Sequence, residues 1–225
     1  MADTRIEAVV FDLDGVITDT ARFHYTAWKQ LAGQLGIQID EAFNERLKGV
    51  SRMDSLEEIL REGGLQDRYS LEEKEQLASE KNEHYCRLLT QLTPEDVLPG
   101  IPEFIALVKA AGIPVGLASV SRNAGTVLQS LQLGPVFDYI ADAALIRHSK
   151  PDPEIFLTAC AGLGADPRYS IGVEDAPAGI QAIKASGMFA VGVGKELPGA
   201  DYLVPSTDRL SWEEIRESFF RSLLP

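Results

Sequence analysis

Short apolar runs rich in Val, Ile and Ala recur along this chain with helical patterns between them, and that alternation constrains its fold more than any other feature. Residues 8–11, 114–118, 170–173, 190–193 and 202–204 have the length and β-branched content of buried strands. Helical spacing occupies 102–111, 124–131, 153–163 and 177–186. Strand and helix in turn predict an α/β fold, a Rossmann-like parallel sheet covered by helices on both faces.

One stretch breaks the alternation. Between Thr20 and Thr93 the sequence carries only helical patterns. Ser70 and Glu73 are spaced as a capping box, opening a helix that runs to Leu89. About seventy residues of helix directly after a first strand far exceeds the usual βα loop of about 2–6 residues. The expected organisation is therefore a core of residues 1–19 and 94–225, with an all-helical cap domain of residues 20–93 inserted after the first strand. A length of 225 residues accommodates one large domain or two small ones.

Charge and cysteine content narrow the function classes. Thirty-four acids against 21 Lys and Arg leave a net charge of −13, which argues against a nucleic-acid or anionic-membrane surface. Cys86 and Cys160 show neither metal-ligand nor redox spacing, so both are expected to be buried thiols in a reducing cytosol. No apolar stretch approaches the ~20 residues of a membrane span, and nothing before the first strand reads as a signal peptide. The expectation is a cytoplasmic protein.

Ligands of open α/β sheets bind beyond the carboxyl ends of the strands, so those ends locate the chemistry. After the first strand stand Asp12 and Asp14, two apart and facing the same way, with Gly15 permitting a sharp turn. Such a pair repels itself unless a cation lies beside it, although a solvated acidic turn would look the same. Ser119, Ser121, Arg122 and Asn123 follow the next strand, either as an anion site at a helix N-terminus or as a plain cap. Lys150 precedes another helix, with Asp152 as its cap and Pro153 in its first turn. Glu174 and Asp175 end a further strand, and Asp175 alone could simply cap the helix begun by Pro177. Taken together, the four strand ends offer acids, a hydroxyl, an ammonium and acids again. That set suits a hard cation with oxygen ligands and a phosphoryl group beside it.

These residues resemble a known family. Asp12-Leu13-Asp14-Gly15-Val16, Ser119, Lys150 and Glu174-Asp175 are similar in order and spacing to the four motifs of the haloacid dehalogenase (HAD) superfamily. Residues 11–20, 47–52, 119–123, 149–151 and 179–183 further resemble its β-phosphoglucomutase subgroup, end to end. The resemblance implies a HAD core with a helical cap and a phosphomutase that joins β-D-glucose 1-phosphate and glucose 6-phosphate through a sugar bisphosphate. It implies Asp12 as the nucleophile that becomes an aspartyl-phosphate and Asp14 as general acid and base. Mg²⁺ would be held by Asp12, the carbonyl of Asp14 and Asp175, with Glu174 assisting. Ser119 and Lys150 would bind the transferring phosphoryl group.

A mutase must also grip the far phosphate. Arg52, at a helix start behind Ser51, suits that grip, with Ser121, Arg122 and Asn123 completing it from the core side. Thr20 and His24 resemble the residues that link cap closure to Asp14, and Trp28 is expected to pack behind the site. Lys48, with Gly49 and Val50 in the same cap motif, would contact sugar hydroxyls or orient the loop. Val120 and Arg122 depart from the subgroup's usual small residue and Lys. The expected partners are small sugar phosphates and a sugar bisphosphate, handled by a monomer. A sugar-phosphate phosphatase is the alternative on the same scaffold. A phospho-accepting signalling receiver is a third reading, opposed by the helical insert and by Asp14.

Overall fold

In the computed structural model, which describes residues 5–47 and 50–224, the first apolar run is strand β1 (Ala8–Phe11) at the middle of a sheet. The sheet has six strands in the order β3-β2-β1-β4-β5-β6, where β2 is Val115–Leu117, β3 Tyr139–Ile140, β4 Ser170–Glu174, β5 Phe189–Val193 and β6 Tyr202–Val204. Every pairing is parallel, with Val9 opposite Val115 on one side and opposite Ile171 on the other. The chain leaves β1 toward β2 and β3, then returns to β1's other edge at β4. That reversal creates the switch-point crevice beyond the carboxyl ends of β1 and β4.

Period-2 alternation divides the strand side chains between two cores. Val9 and Phe11 enter one cluster with Phe104, Val108 and Phe219, from helices α5 (Ile101–Ala110) and α9 (Trp212–Ser222). Val10 enters the opposite cluster with Phe156 and Ile183, from α7 (Glu154–Leu163) and α8 (Pro177–Ser186). The remaining sheet-covering helix is α6 (Ala124–Ser130).

Between β1 and α5 the described residues form no strand; the α-helices there are α1 (Ala21–Gln34), α2 (Glu41–Glu45), α3 (Arg52–Glu62) and α4 (Leu71–Leu89), followed by a short 3-10 turn at Pro94–Asp96. The capping box at the start of α4 is present in both directions, Glu73 N–H on Ser70 Oγ and Ser70 N–H on the Glu73 carboxylate. Trp28, Leu31, Phe43, Leu56 and Ile59 gather in a third cluster among these helices. Their sheet-side residues Phe23, Ala27, Tyr85 and Leu89 instead join the main core, so apolar packing fixes this end of the helical segment to the sheet.

Several expectations need correction. Strand β3 escapes the sequence pattern because it is two residues long and half-exposed at the sheet edge. Pro153 is the N-cap of α7 rather than its first residue, and Asp152 accepts the N–H of Glu154 from just outside. Asp175 does not cap α8, whose N-cap is Ala176 with no side-chain bond. Cys160 is buried, but Cys86 is only half-buried, because it faces Asn123 across the gap between α4 and the sheet.

Candidate active site

The carboxyl ends of β1 and β4 place Asp12 and Glu174 on either side of Lys150. Lys150 Nζ donates to Asp12 Oδ1 at 2.5 Å and to Glu174 Oε2 at 2.7 Å, with no side-chain exposure of its own. Burial alone would lower its pKa, yet the charges of Asp12 and Glu174 outweigh burial and hold the ammonium above the ordinary lysine range. The other oxygen of Glu174 accepts the N–H groups of Asp175 and Ala176, both at 3.1 Å. Both oxygens of this buried carboxylate are therefore satisfied.

Asp12, Glu174 and Asp175 each present an oxygen, and the three oxygens lie within 4.8 Å of one another. Three carboxylates around one lysine leave excess negative charge in a buried place. Burial and then the charge of Asp12 push Glu174 up to about 8. An all-oxygen donor set with surplus charge fits a hard divalent cation and does not suit a soft one.

Asp14 stands on the turn beyond Asp12. Gly15 adopts φ +82°, and its N–H closes on the carbonyl of Thr18 at 2.8 Å. A Cβ at Gly15 would collide with the Asp175 carboxylate, so the turn requires glycine twice over. The Asp14 carboxyl has a buried Oδ1 with no hydrogen-bond partner among the described residues. Burial, reinforced by Asp12, raises its pKa to about 8. Such a group carries a proton at neutral pH and has an oxygen ready for a ligand.

These groups open into a cavity of about 550 Å³ between the strand ends and the helical segment. Asp12, Asp14, Ser119 and Asp175 line its floor, together with Ser121, Arg122 and Asn123 from the loop before α6. His24, Trp28, Val50 and Arg52 line it from the helical side. All of the residues just named are positions singled out in the sequence, and they line one cavity. Lys150 and Glu174 lie beneath the floor, and Thr20 is buried at the start of α1 without reaching the cavity. Lys48 and Gly49 lie outside the described residues.

The hydroxyls after β2 are already engaged as acceptors. Ser121 N–H donates to Ser119 Oγ at 3.2 Å and Asn123 N–H to Ser121 Oγ at 3.3 Å. The Ser119 hydroxyl keeps its own O–H for a ligand oxygen, whereas the Ser121 hydroxyl also lies within reach of Tyr85. Two of the loop's N–H groups, those of Ser121 and Asn123, are thus already paired within the loop. On the opposite wall, Ser51 caps α3 and sets Arg52 at its first position. Burial lowers the pKa of Arg52, and the nearby charge of Arg122 lowers it further. Among the described residues neither guanidinium has a carboxylate partner, so two convergent cations face the cavity with nothing to neutralise them.

The largest omission of the sequence reading is Lys81. Its Nζ lies 2.8 Å from His24 Nδ1 and sits over the rings of Trp28 and Tyr85. Burial, then the charges of Lys81 and Arg52, keep His24 well below the ordinary imidazole range, so it is the neutral acceptor of this bond. The available signal was spacing. Ala78, Lys81, Tyr85 and Leu89 form the buried stripe of α4, and a lysine in such a stripe is out of place. Asp54 and Ser149, which also line the cavity, were missed as well.

Comparison with known proteins agrees with this geometry. The family model described as haloacid dehalogenase-like hydrolase matches residues 6–187. The chain is 49% identical to a β-phosphoglucomutase of Bacillus subtilis over 216 residues, 95% of this chain and 96% of that one. It is 31% identical to a phosphorylated carbohydrates phosphatase of Thermotoga maritima, covering 81% of this chain and 82% of that one. The crystal structure of a β-phosphoglucomutase from Clostridium difficile superposes with a TM-score of 0.96 at 48% identity, covering 98% of this chain and 100% of that one.

Proposed function

The chain belongs to the haloacid dehalogenase-like hydrolase family, and from that premise we propose that it is a phosphomutase interconverting β-D-glucose 1-phosphate and β-D-glucose 6-phosphate. The observation that carries this reading is a cavity lined by two sets of phosphate-binding groups. Asp12, Asp14 and Ser119 line it with Lys150 beneath them, and Arg52 and Arg122, neither with a carboxylate partner among the described residues, line it as well. One monophosphate needs one such set, whereas a bisphosphate that is turned round needs both.

In this reading the Asp12 carboxylate attacks phosphorus, the phosphorus–oxygen bond to the sugar breaks, and Asp14 gives its proton to the leaving oxygen. In reverse, Asp14 takes the proton of the attacking hydroxyl as the phosphoryl group moves from Asp12 to the sugar. The bisphosphate then reorients and returns its other phosphoryl group to Asp12. Ser119 and Lys150 hold the transferring oxygens. The family generally uses a divalent metal. Mg²⁺ would be held here by Asp12, the Asp14 carbonyl, Glu174 and Asp175, supplying positive charge against the phosphoryl oxygens. Arg52, with Ser121, Arg122 and Asn123, grips the distal phosphate. Thr20, His24 and Trp28, with Lys48, Gly49 and Val50, belong to the cap that covers the sugar, and residues 20–93 move as that cap against 1–19 and 94–225.

The two free thiols, Cys86 and Cys160, suit a reducing cytosol. No helix of the described residues is long and apolar enough to cross a membrane. We read the enzyme as a cytoplasmic monomer acting on small sugar phosphates.

The phosphatase relative supports a second reading, net hydrolysis of a sugar phosphate. Product analysis on both anomers of glucose 1-phosphate with Mg²⁺, following glucose 6-phosphate and inorganic phosphate together, decides between them. The mutase reading expects glucose 6-phosphate from the β anomer with little phosphate release. Phosphate release as fast as isomerisation would overturn it.

A further inference from the structure

Helix α3 carries Arg52, yet its apolar residues Leu56, Ile59 and Leu60 pack only within the helical cluster and not against the sheet. Among the described residues, one side-chain hydrogen bond joins α3 to the sheet unit, Ser149 Oγ donating to Asp54 Oδ2 at 2.7 Å. The same oxygen accepts Ser51 Oγ at 2.6 Å, and Ser51 Oγ in turn accepts the N–H of Asp54 at 3.2 Å. One carboxylate oxygen therefore ties together the residue before Arg52 and the residue before Lys150. A second tie, Asn123 Nδ2 to Asn82 Oδ1 at 2.8 Å, joins α4 to the loop before α6 on the far side of the cavity.

The two kinds of attachment differ physically. The hinge end of the helical segment is held by dry packing of Phe23, Ala27, Tyr85 and Leu89. The α3 end is held by an exposed polar bond whose partners regain water when it opens, so its net worth is small and it can be made and broken in every turnover. Because the bonded residues neighbour Arg52 and Lys150 in the chain, the bond also bears on the span between these two cations.

We propose that Asp54 and Ser149 form a latch that holds the helical segment closed and sets the separation of the two phosphate grips. This rests on the two-phosphate reading of the cavity. Asp54 and Ser149 are positioning residues: neither lies on the Asp12–Lys150 path of phosphoryl transfer, and each acts through its neighbour, Arg52 or Lys150. A substrate that bridges both grips needs the latch. A small acyl phosphate such as acetyl phosphate engages only the Lys150 side and does not.

The test measures kcat/KM for consumption of β-glucose 1-phosphate, whatever the product, divided by kcat/KM for hydrolysis of acetyl phosphate. Ser149→Ala is expected to lower this ratio about fivefold, the worth of one net hydrogen bond, and Ser149→Thr to restore most of it. In an Asp54→Ala background Ser149→Ala is expected to have no further effect. An unchanged ratio in Ser149→Ala, a Thr variant no better than Ala, or losses that multiply independently in the double variant would each overturn the latch. Product identity is scored separately. If the wild type releases only phosphate the mutase reading fails, while the ratio still decides whether the latch exists.

Discussion

Replacing Lys81 by Met tests the electrostatics of the cavity wall. Lys81 is 3% exposed, and burial, followed by the charge of Arg52, lowers its pKa from 10.5 to about 7 against the opposing pull of Asp14. In the unfolded chain the amine has its ordinary value. Falling from 10.5 to about 7, at about 1.4 kcal/mol per pH unit, costs the native state roughly 5 kcal/mol while the ammonium is charged. The faces of Trp28 and Tyr85, 4.5 and 4.8 Å from Nζ, offset about 1–2 kcal/mol of this. The sign follows from proton counting. Below pH 7 both states hold the proton and the full cost persists; between about 7 and 10.5 only the unfolded chain holds it, so stability rises with pH. Lys81→Met is thus expected to be about 3 kcal/mol more stable than wild type at pH 6, with the gap closing toward pH 10. Urea unfolding of both proteins in steps across that range measures it. Asp14 also titrates in this range and loses the lowering pull of Lys81 in the variant, so the difference is read at pH 6, where Asp14 is protonated in both proteins, and at pH 10. A difference that stays flat with pH, or a variant less stable at pH 6, would refute the reasoning. A residue retained at such a cost has a functional reason, so turnover of β-glucose 1-phosphate is expected to fall at least tenfold in the same variant.

Three further substitutions probe separate groups of the site. Asp12→Asn keeps a hydrogen-bond acceptor for Lys150 but removes the nucleophile, and is expected to cut turnover by ~10⁴ or more; a phosphorylated variant protein detected by mass spectrometry would contradict the assignment. Arg52→Ala is expected to lower mutase kcat/KM about a hundredfold, the loss of one charge-assisted grip, while acetyl phosphate hydrolysis stays within twofold; equal losses would remove Arg52 from the distal site. Gly15→Ala places a Cβ against the Asp175 carboxylate on a backbone of φ +82°. The Mg²⁺ concentration for half-maximal activity should rise more than tenfold, and an unshifted activation curve would show that Asp175 is not a ligand.

What was legible in the sequence follows physical range. Phe11 to Asp14 and Ser170 to Asp175 are local signals, in which a buried strand ends in acids, and the parallel register of β1 on β4 then brings the two ends together. Strand alternation placed Asp12 and Glu174 at strand ends, and the family resemblance joined them in one site. The six-residue span from Leu47 to Arg52 marked the opposite wall only through its resemblance to a family, because a helix-start arginine has no local signature of its own. Lys81 was hidden because its stripe on α4 reads as the solvated face of a charged helix until Trp28 and Tyr85 close over it. Asp54 and Ser149 were hidden for a different reason. They stand 95 residues apart, and only the docking of the helical segment onto the sheet makes them neighbours.

The same consideration changes the meaning of the net charge. At −13 the chain as a whole repels the doubly anionic compounds it is proposed to bind. Counter-charge is therefore local: Lys150 beneath the floor, and Arg52, Arg122 and Lys81 around the cavity. Lys150 is already engaged by Asp12 and Glu174, so its charge is pre-positioned by the fold and costs nothing to assemble at the moment of reaction. Arg52 and Lys81 differ, because they repel each other and Arg52 also repels Arg122. On the proposed reading, closing the helical segment over an empty cavity would bring Arg52 against Arg122, whereas closing it over two phosphates would neutralise both. Substrate charge would then favour the closed state by an amount that a monophosphate supplies only in part, which is the difference the proposal draws between a mutase cavity and a hydrolytic one.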